Sequence, residues 1–284
     1  MSTSSKAIMN DLMVIVVLYK KKISDLSIIL QSNLMSGQNI DIFVYDNSVQ
    51  PQQMPEKEGF HFHYLHDKSN AGVSRAYNEG IKKAKELNKK YVLLLDQDTN
   101  IVAADLEKYL LLADKYGENY LYAPIVYREK RIYSPAYINC FIGKVQNLES
   151  FSYQEIYSLD KKSLINSGLM IPVSLIDLIG GFDENIKLDF SDFYFIEKYK
   201  KINSDVILLD LYLQHSLSGD EGKNYSAEML RYKYYCNGAK YFNIALNEFR
   251  LLPALRRMLR LIIKYKSLKP INIFSGYFIG NKRI

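Results

Sequence analysis

The sequence predicts an α/β protein with a mixed, mostly parallel sheet flanked by helices, and three features of the chain support this prediction. Short apolar runs alternate with helical patterns through the first part of the chain. The runs at 12–18 and 92–95 are uninterrupted, which is typical of strands buried on both faces of a parallel sheet. Polar residues follow these runs directly, at the carboxyl edge where open α/β sheets bind ligands.

The strands and helices before residue 96 are predicted from the hydrophobic period of the sequence and from its turn residues. Gly37 is a stop signal for the first helix, and a loop containing Pro51 and Pro55 separates the second strand from the third. This alternation of strands and helices is typical of one half of a doubly wound, nucleotide-binding sheet. The predicted strands cover 12–19, 40–45, 62–65 and 91–96, and the predicted helices cover 23–35 and 72–87.

The rest of the domain alternates less regularly. Pro172 is expected in the first turn of a helix, a position that proline tolerates. The segment 189–201 begins acidic and ends basic, as the helix dipole prefers, and is predicted to be helical. The Tyr-rich region 127–159 predicts only hairpins or loops on the binding face. The other predictions are helices at 103–116 and 172–179, strands at 120–126 and 206–209, an apolar run at 164–171 and a turn at 180–184.

A shift in composition divides the chain into a predicted domain over 1–220 and a helical extension over 221–284. The extension is expected to hold a helix over 225–247 and a basic amphipathic helix over 252–269 that ends at Pro270. Such a helix can lie on an anionic membrane surface, or it can pack its apolar stripe on the domain and leave its charges in water. The stripe is Leu252, Leu255, Leu259, Ile262 and Ile263, and the basic residues are Arg256, Arg257, Arg260, Lys264 and Lys266.

Composition and charge exclude several classes of protein. With 284 residues, 48% of them hydrophobic, the chain can bury a sizeable core, which argues against wholesale disorder. Cys140 and Cys236 lack metal-ligand spacing, argue against a disulfide scaffold and suit a reducing cytoplasm. A formal charge of +6 without a recognised motif argues against a nucleic-acid partner. We see no signal-peptide pattern and no apolar stretch long enough to span a bilayer, so a cytoplasmic protein is expected.

Two aspartates, Asp96 and Asp98, follow the buried strand one residue apart. Their like charges repel each other, and a divalent cation would relieve that cost. Mg²⁺ and Mn²⁺ take hard oxygen ligands and commonly bridge a protein carboxylate to substrate phosphates. The pattern therefore favours a metal and diphosphate site. The alternative is an ordinary acidic turn in which Asp98 caps the next helix.

Several short motifs follow one another along the chain in a fixed order. They are 16–19, 44–48, 70–81, 94–99, 165–168, 180–184, 189–192 and finally His215. In this order and spacing, over residues 10–220, the chain resembles the family 2 glycosyltransferases, most closely their bacterial rhamnosyltransferase-like branch. No single motif is specific, but the ordered set is specific for the fold and the reaction type and only weakly for the sugar.

The resemblance implies a GT-A fold and the inverting transfer of a sugar from a nucleoside diphosphate donor to a hydroxyl group of an acceptor. It also implies Mg²⁺ or Mn²⁺ as cofactor, held by Asp96, Asp98 and His215. The residues that would contact the donor nucleotide and its sugar are Tyr19, Asp46, Asn70, Gly72, Arg75, Asp96, Gln97, Ser167 and Gly168.

For several of these residues a purely structural role is the alternative. Asp46 can make an Asx-type turn, and Asn70 and Gly72 can simply form the entry to a helix. The pair at 167–168 can reflect close packing alone. Arg75, in contrast, opposes the helix dipole in a first turn, which favours a role such as pairing with a phosphate.

Inverting transfer needs a base that takes the proton of the acceptor hydroxyl group, and a carboxylate can do this. The resemblance places the base at Asp192, with Asp189 as a close competitor, three residues earlier and expected on the same side. The alternative for Asp192 is an acid at a helix N-terminus that the dipole favours. Tyr194 and Phe195 stand where relatives often carry a second acid and an aromatic residue. This departure supports a rival hypothesis, a catalytically silent sugar-nucleotide-binding subunit of a polysaccharide assembly complex.

The resemblance also suggests the substrates. The Asp-Gln-Asp-Thr variant at 96–99 and its flanks favour dTDP-rhamnose as donor, with a UDP-hexose as the alternative. The implied acceptor is a glycan or a lipid-linked saccharide of bacterial surface polysaccharide synthesis. The sequence thus predicts a cytoplasmic, metal-dependent glycosyltransferase, peripheral to the inner face of the cell membrane through its basic helix.

Overall fold

The computed structural model describes residues 9–30, 39–137, 144–214, 224–246 and 251–280. Within these residues one mixed sheet of eleven strands forms the centre of the molecule. Two hydrophobic layers cover its two faces, and helices contribute to both layers. The predicted class, a mixed sheet flanked by helices, is confirmed.

The first four strands form the parallel half of the sheet. They are β1 (Leu12–Leu18), β2 (Ile40–Asp46), β3 (Phe60–His66) and β4 (Tyr91–Asp96). Their order is β3–β2–β1–β4, so the chain adds two strands on one side of β1 and then returns to its other side. The strand order therefore reverses between β1 and β4. Open α/β sheets bind ligands at such a switch point, outside the carboxyl ends of the strands.

Every residue of β1 is buried. Val14 and Val16 pack into one hydrophobic layer, whereas Met13 and Ile15 pack into the layer on the opposite face. Alternate side chains of a strand point to opposite faces, so a strand covered on both sides must be apolar throughout. This is the physical reason for the uninterrupted run in the sequence.

The helices of the parallel half differ in how well the sequence predicts them. Where a helix was predicted at 23–35, residues 23–25 form a 3₁₀ turn and an α-helix begins at Ser27; residues 31–38 lie outside the described part, so the predicted end at 35 stays a prediction. The helix predicted at 72–87 is confirmed, and its Gly80 lets it pack closely on the sheet, since a Cβ there would lie 2.7 Å from Ile15 Cδ1. The helices are α1 (Ser27–Leu30), α2 (Val73–Glu86) and α3 (Leu106–Tyr116).

The second half of the sheet is mixed. Strand β10 (Met170–Pro172) runs antiparallel between β4 and β5 (Leu121–Arg128), and β11 (Asp205–Gln214) then pairs parallel to β5. Helix α4 (Val173–Ile179) ends where predicted, but Pro172 is its extended N-cap and the last residue of β10, not a residue of its first turn.

Four further strands lie in and just after the region 127–159, where hairpins or loops were predicted. They are β6 (Arg131–Tyr137), β7 (Lys144–Asn147), β8 (Ile156–Ser158) and β9 (Lys162–Ser163). Strand β6 pairs antiparallel with β5, β7 and β9, whereas β8 pairs with β11.

Helix α5 (Ser191–Tyr199) begins two residues later than the sequence predicted. Three C-terminal helices follow, α6 (Tyr225–Leu246), α7 (Leu251–Tyr265) and α8 (Lys269–Phe278), and they share a small hydrophobic core of their own. Pro270 lies in the first turn of α8, and α7 ends at Tyr265. The expectation that Pro270 ends the amphipathic helix is thus wrong. None of the helices described is long and apolar enough to cross a bilayer.

Candidate active site

The carboxyl ends of β1 and β4 are tied together by Gln97. The backbone N–H of Tyr19 donates to Gln97 Oε1 at 2.7 Å, and Lys21 Nζ donates to the Gln97 carbonyl oxygen at 2.7 Å. Gln97, predicted to contact the donor, thus uses its side chain to hold the loop that follows β1. The Tyr19 ring stays exposed at the rim of the crevice.

Thr99 fixes the Asp-x-Asp turn. Its hydroxyl oxygen accepts a hydrogen bond from the Asp96 backbone N–H at 3.1 Å, and its own N–H donates to the Asp96 carbonyl oxygen at 3.0 Å. The Thr99 and Ser167 hydroxyl groups lie 2.6 Å apart. The turn is therefore anchored to the segment that precedes β10, and its two carboxylates are held at the switch point of the sheet.

Asp98 Oδ2 is buried and has no hydrogen-bond partner among the described residues. A buried carboxylate oxygen in this state is costly, and a bound cation would satisfy it. The alternative role for Asp98 is not observed, because Val102 is the N-cap of the following 3₁₀ helix. Within the described residues no third histidine, cysteine or acid joins Asp96 and Asp98, and His215 lies outside that part. Two carboxylates suit Mg²⁺ or Mn²⁺, which commonly take their other ligands from phosphates and water.

Tyr77 was not singled out by the sequence. It belongs to the buried stripe of α2, and its hydroxyl group donates to Asp96 Oδ1 at 3.2 Å. Burial, and then the charge of Asp96, raise the pKa of Tyr77 well above its usual value, so the hydroxyl group stays a hydrogen-bond donor. A polar tip on an otherwise apolar helix face is a signal that could have identified this residue.

Asp46, at the end of β2, makes the Asx-type turn that was the alternative to ligand contact. Its Oδ1 accepts from the Ser48 backbone N–H at 2.9 Å. Its Oδ2 accepts from the Tyr64 hydroxyl group at 2.9 Å and from Gln52 Nε2 at 3.1 Å. The side chain is fully buried. A ribose at this position would therefore have to replace one of these donors, so ligand contact by Asp46 stays a prediction.

The entry to α2 is formed by Asn70 and Gly72. Both have positive φ angles, 51° and 105°, and the Gly72 backbone packs against the Lys187 carbonyl with no space for a Cβ. The Val73 N–H donates to the same carbonyl at 2.8 Å. These contacts support the structural alternative for the pair. Arg75 is exposed in the first turn of α2, and its role toward a phosphate stays a prediction.

Ser167 and Gly168 are also buried by close packing. The Gly168 N–H donates to the Leu94 carbonyl at 2.8 Å, its φ is 79°, and a Cβ would lie 2.7 Å from Pro124 Cγ. Asn166, which precedes them, has a buried Oδ1 without a partner among the described residues. Asn166 is therefore the residue of this segment with an unsatisfied polar atom, and the sequence reasoning did not name it as a site residue.

Asp192 lies in the first turn of α5 and is only partly accessible. Burial, together with the charges of Asp96 and Asp189, raises the pKa of its carboxyl group to about 7. The Phe193 backbone N–H, which donates to Asp192 Oδ1 at 2.8 Å, opposes that shift. An acid that titrates near neutral pH can accept a proton during a reaction, as a general base must.

Asp189 lies outside α5, in the segment that leads into it. Phe190 between the two has a left-handed backbone with φ of 77°, so helical spacing does not relate the two aspartates, and whether they act on the same side stays a prediction. Asp189 Oδ1 faces two arginines of the C-terminal helices, Arg231 and Arg257, each 3.9 Å away. The sequence had assigned neither arginine to the site.

A match to a sequence family adds to this geometry. Residues 13–173, more than half of the chain, match the sequence model of the family described as Glycosyl transferase family 2. The chain belongs to this family. The resemblance seen in the motifs is thereby confirmed, and the matched segment contains the Asp-x-Asp turn but ends before Asp189 and Asp192.

The family 2 chain is similar to a curated protein, the dTDP-rhamnosyl transferase RfbF of Shigella flexneri. The two are 24% identical over 182 residues, which are 63% of this chain and 59% of that protein. The match thus spans less than two thirds of the length of RfbF.

Solved structures show the fold of this family 2 chain. The structure of GalNAc-T7 with UDP, GalNAc and Mn²⁺ has a TM-score of 0.55 at 12% identity, over 94% of this chain and 56% of that one. The mannosyltransferase PcManGT of Pyrobaculum calidifontis, in complex with GDP-Man and Mn²⁺, has a TM-score of 0.51 at 12% identity, over 96% and 76%. The predicted GT-A fold is confirmed, and these two GT-A structures contain a divalent metal ion.

Proposed function

We propose that this family 2 protein is a metal-dependent, inverting glycosyltransferase in which Asp192 is the general base. One observation carries the proposal: a partly accessible acid with a raised pKa is electrostatically coupled to Asp96 of the Asp-x-Asp turn. Inverting transfer requires one carboxylate for the acceptor hydroxyl group and others at the departing diphosphate. Asp192 and the turn provide this division of roles.

In this proposal Asp96 and Asp98 hold Mg²⁺ or Mn²⁺ and the donor diphosphate. A metal ion bound there stabilises the negative charge that grows on the leaving nucleoside diphosphate. The buried, unpartnered Asp98 Oδ2 supports this assignment, as does the Thr99 hydrogen bond that fixes the turn. His215 is a proposed further ligand, and Tyr77 orients Asp96.

The proposed donor is dTDP-rhamnose and the proposed pathway is surface polysaccharide synthesis. The name of RfbF and the Asp-Gln-Asp-Thr sequence at 96–99 support the donor. A UDP-hexose is the alternative donor. A catalytically silent subunit is the alternative function, and Tyr194 in place of an acid is the feature that favours it.

A panel of sugar nucleotides tests the donor by thermal stabilisation. We expect dTDP-rhamnose with Mg²⁺ or Mn²⁺ to raise the melting temperature, since a ligand that binds only the folded state stabilises it. The same measurement is made separately with UDP-glucose, UDP-GlcNAc and GDP-mannose as alternative donors. A shift confined to the UDP-sugars would keep the reaction type and replace the donor, and the absence of any shift would favour the silent subunit.

The C-terminal helices support a further part of the proposal, contact with an anionic membrane surface. Leu255 and Ile262 of α7 pack into the small core, but Leu259 and Ile263 are 50% and 78% exposed. Part of the apolar stripe therefore packs on the protein, and part of it is exposed, as contact with a membrane would require. The exposed part of it lies among basic residues that are exposed as well, namely Arg256, Arg260, Lys264, Lys266 and Lys269. Exposed leucine and isoleucine among cations match the apolar and anionic layers of a lipid surface.

A vesicle assay tests this surface. We expect the double variant Leu259→Glu/Ile263→Glu to bind phosphatidylglycerol-containing vesicles roughly tenfold more weakly than wild type, because two apolar anchors are lost and two repelling charges are gained. The matched control is Leu111→Glu/Leu178→Glu, which changes two exposed leucines on α3 and α4. Co-sedimentation of wild type that is the same for neutral and anionic vesicles would contradict the proposal.

A further inference from the structure

Two arginines of the C-terminal helices converge on Asp189 without forming hydrogen bonds to it. Nη2 of Arg231, on α6, and Nη1 of Arg257, on α7, each lie 3.9 Å from Asp189 Oδ1. Charged hydrogen bonds between guanidinium and carboxylate groups are about 2.7–2.9 Å long. The two arginines are thus attracted to the carboxylate, but their N–H groups remain available for another acceptor.

The cluster has unsatisfied polar atoms and an excess of positive charge. Arg231 Nε and Asp189 Oδ2 are buried and have no hydrogen-bond partner in the described part of the chain. The side chains of Arg231, Arg257 and Asp189 are 34%, 20% and 19% exposed, so the site is open to solvent on one side. Two guanidinium groups face one carboxylate, and partly buried charge of one sign favours binding of a counter-ion.

The arginines are held on a rigid support. The Arg257 Cζ atom lies 4.6 Å from the centre of the Tyr235 ring, and the centres of the Tyr235 and Phe190 rings are 5.0 Å apart. Gly238 of α6 packs against the Asp189 carbonyl, where a Cβ would not fit. Helix α6 is thereby fixed against the segment that leads into α5. The distance between the guanidinium groups and Asp192 is consequently set by packing.

We propose that Arg231 and Arg257 bind an anionic group of the acceptor, a phosphate or a sugar carboxylate. The planar guanidinium group donates paired hydrogen bonds that match both anions. Asp192 interacts electrostatically with Asp96 on the donor side and with Asp189 on the arginine side. An acceptor anchored at the arginines by its anion therefore presents a hydroxyl group toward the base. The inference rests on the proposed glycosyltransferase function and names the acceptor class.

Calorimetry with the donor site filled tests this inference. Full-length protein is first saturated with dTDP and Mg²⁺, and α-glucose 1-phosphate, glucuronate and methyl α-glucoside are then titrated separately. We expect at least one anion to bind, about tenfold more weakly in Arg231→Gln and in Arg257→Gln, and the neutral glucoside not to bind. Preference for the sugar phosphate indicates a phosphate-linked acceptor, and preference for glucuronate indicates an acidic glycan. Either preference supports the proposal.

The matched control is Lys115→Gln, which removes an exposed cation of α3 that pairs with Glu155 and belongs to none of the proposed binding surfaces. We expect this variant to keep the wild-type anion affinity. Arg231→Lys and Arg257→Lys retain the positive charge but not the planar, forked guanidinium group, so we expect a loss of anion affinity intermediate between wild type and the Gln variants. These Lys variants replace the Gln variants in the test if the latter do not fold.

Anion affinity that is the same in wild type and in the Arg variants, or no anion binding to wild type, overturns the inference and leaves the arginines as an ion-paired link between α5 and the C-terminal helices. The dTDP titration in the same experiment reports on the donor site separately. Absence of dTDP binding would count against the proposed function, whereas dTDP binding without anion binding would count against this inference alone.

Discussion

Replacement of Asp192 by asparagine is expected to reduce turnover by about 10²–10⁴-fold, the usual contribution of a general base. The variant keeps a side chain of the same size but cannot take the proton of the acceptor hydroxyl group. Donor binding should persist, because the proposed diphosphate contacts belong to Asp96 and Asp98. Steady-state turnover and dTDP-rhamnose affinity, measured on the same preparation, separate the two effects.

The pH dependence gives a second readout for the same residue. Since burial and neighbouring charge raise the pKa of Asp192 in the free protein to about 7, kcat/KM should rise with pH through about that value as the carboxylate forms. In Asp189→Asn this rising limb of the pH profile should move to lower pH, because the charge of Asp189 helps to raise the pKa of Asp192.

The free energy of unfolding depends on pH in the opposite direction. The folded state binds the Asp192 proton more tightly than the unfolded state, so this group's contribution to the free energy of unfolding falls as pH rises from about 4 to about 7.

Asp177→Asn is the matched control, since Asp177 is exposed on α4 and pairs with Lys85. Its turnover and pH profile should equal those of wild type. Full activity in Asp192→Asn, with the loss found in Asp189→Asn instead, would transfer the role of base to Asp189.

Replacement of Asp98 by alanine is expected to abolish the metal-dependent stabilisation by the donor. For wild type, a donor at a hundred times its dissociation constant adds about 2.7 kcal/mol to the free energy of unfolding. The variant should lose that increment with Mg²⁺ or Mn²⁺ present, since the buried Oδ2 that the metal would satisfy is gone. Without ligand, the variant should be no less stable than wild type, because a buried carboxylate oxygen without a hydrogen-bond partner among the described residues has been removed.

Thermal unfolding with and without metal and dTDP-rhamnose measures both quantities, and Asp177→Ala is the control. A donor-induced shift in Asp98→Ala as large as that in wild type would contradict the metal site at this turn.

Some parts of the fold and site were predictable because they depend on local pattern. The strand that ends at Asp96 is apolar throughout since both faces are covered, and its carboxyl edge is a ligand edge in any open α/β sheet. The Asp-x-Asp pair could therefore be named in advance from the strand pattern, whereas Asp192 was named only through the resemblance to the family. The helix predicted at 23–35 does not begin at Ile23, because the apolar spacing there suits a buried 3₁₀ turn as well as an α-helix.

Long-range contacts decided the roles of individual side chains. Gln97 was predicted to contact the donor, but its side chain accepts a hydrogen bond from the backbone N–H of Tyr19, 78 residues away in the chain. Asp46 is engaged by Gln52 and Tyr64, which no spacing rule connects to it. A short-range pattern carries no information on such partners, because they depend on how strands and loops far apart in the chain are brought together.

The sequence by itself determined the α/β class, the family and the two carboxylates of the turn, since each follows from buried strands and motif order. Only the tertiary structure decided which aspartate near α5 is desolvated and which one faces Arg231 and Arg257. The two acids are three residues apart in the sequence and differ in environment because the left-handed backbone of Phe190 and the packing of α6 separate them. The pKa of a carboxyl group depends on burial and on neighbouring charge, and both are properties of the folded chain.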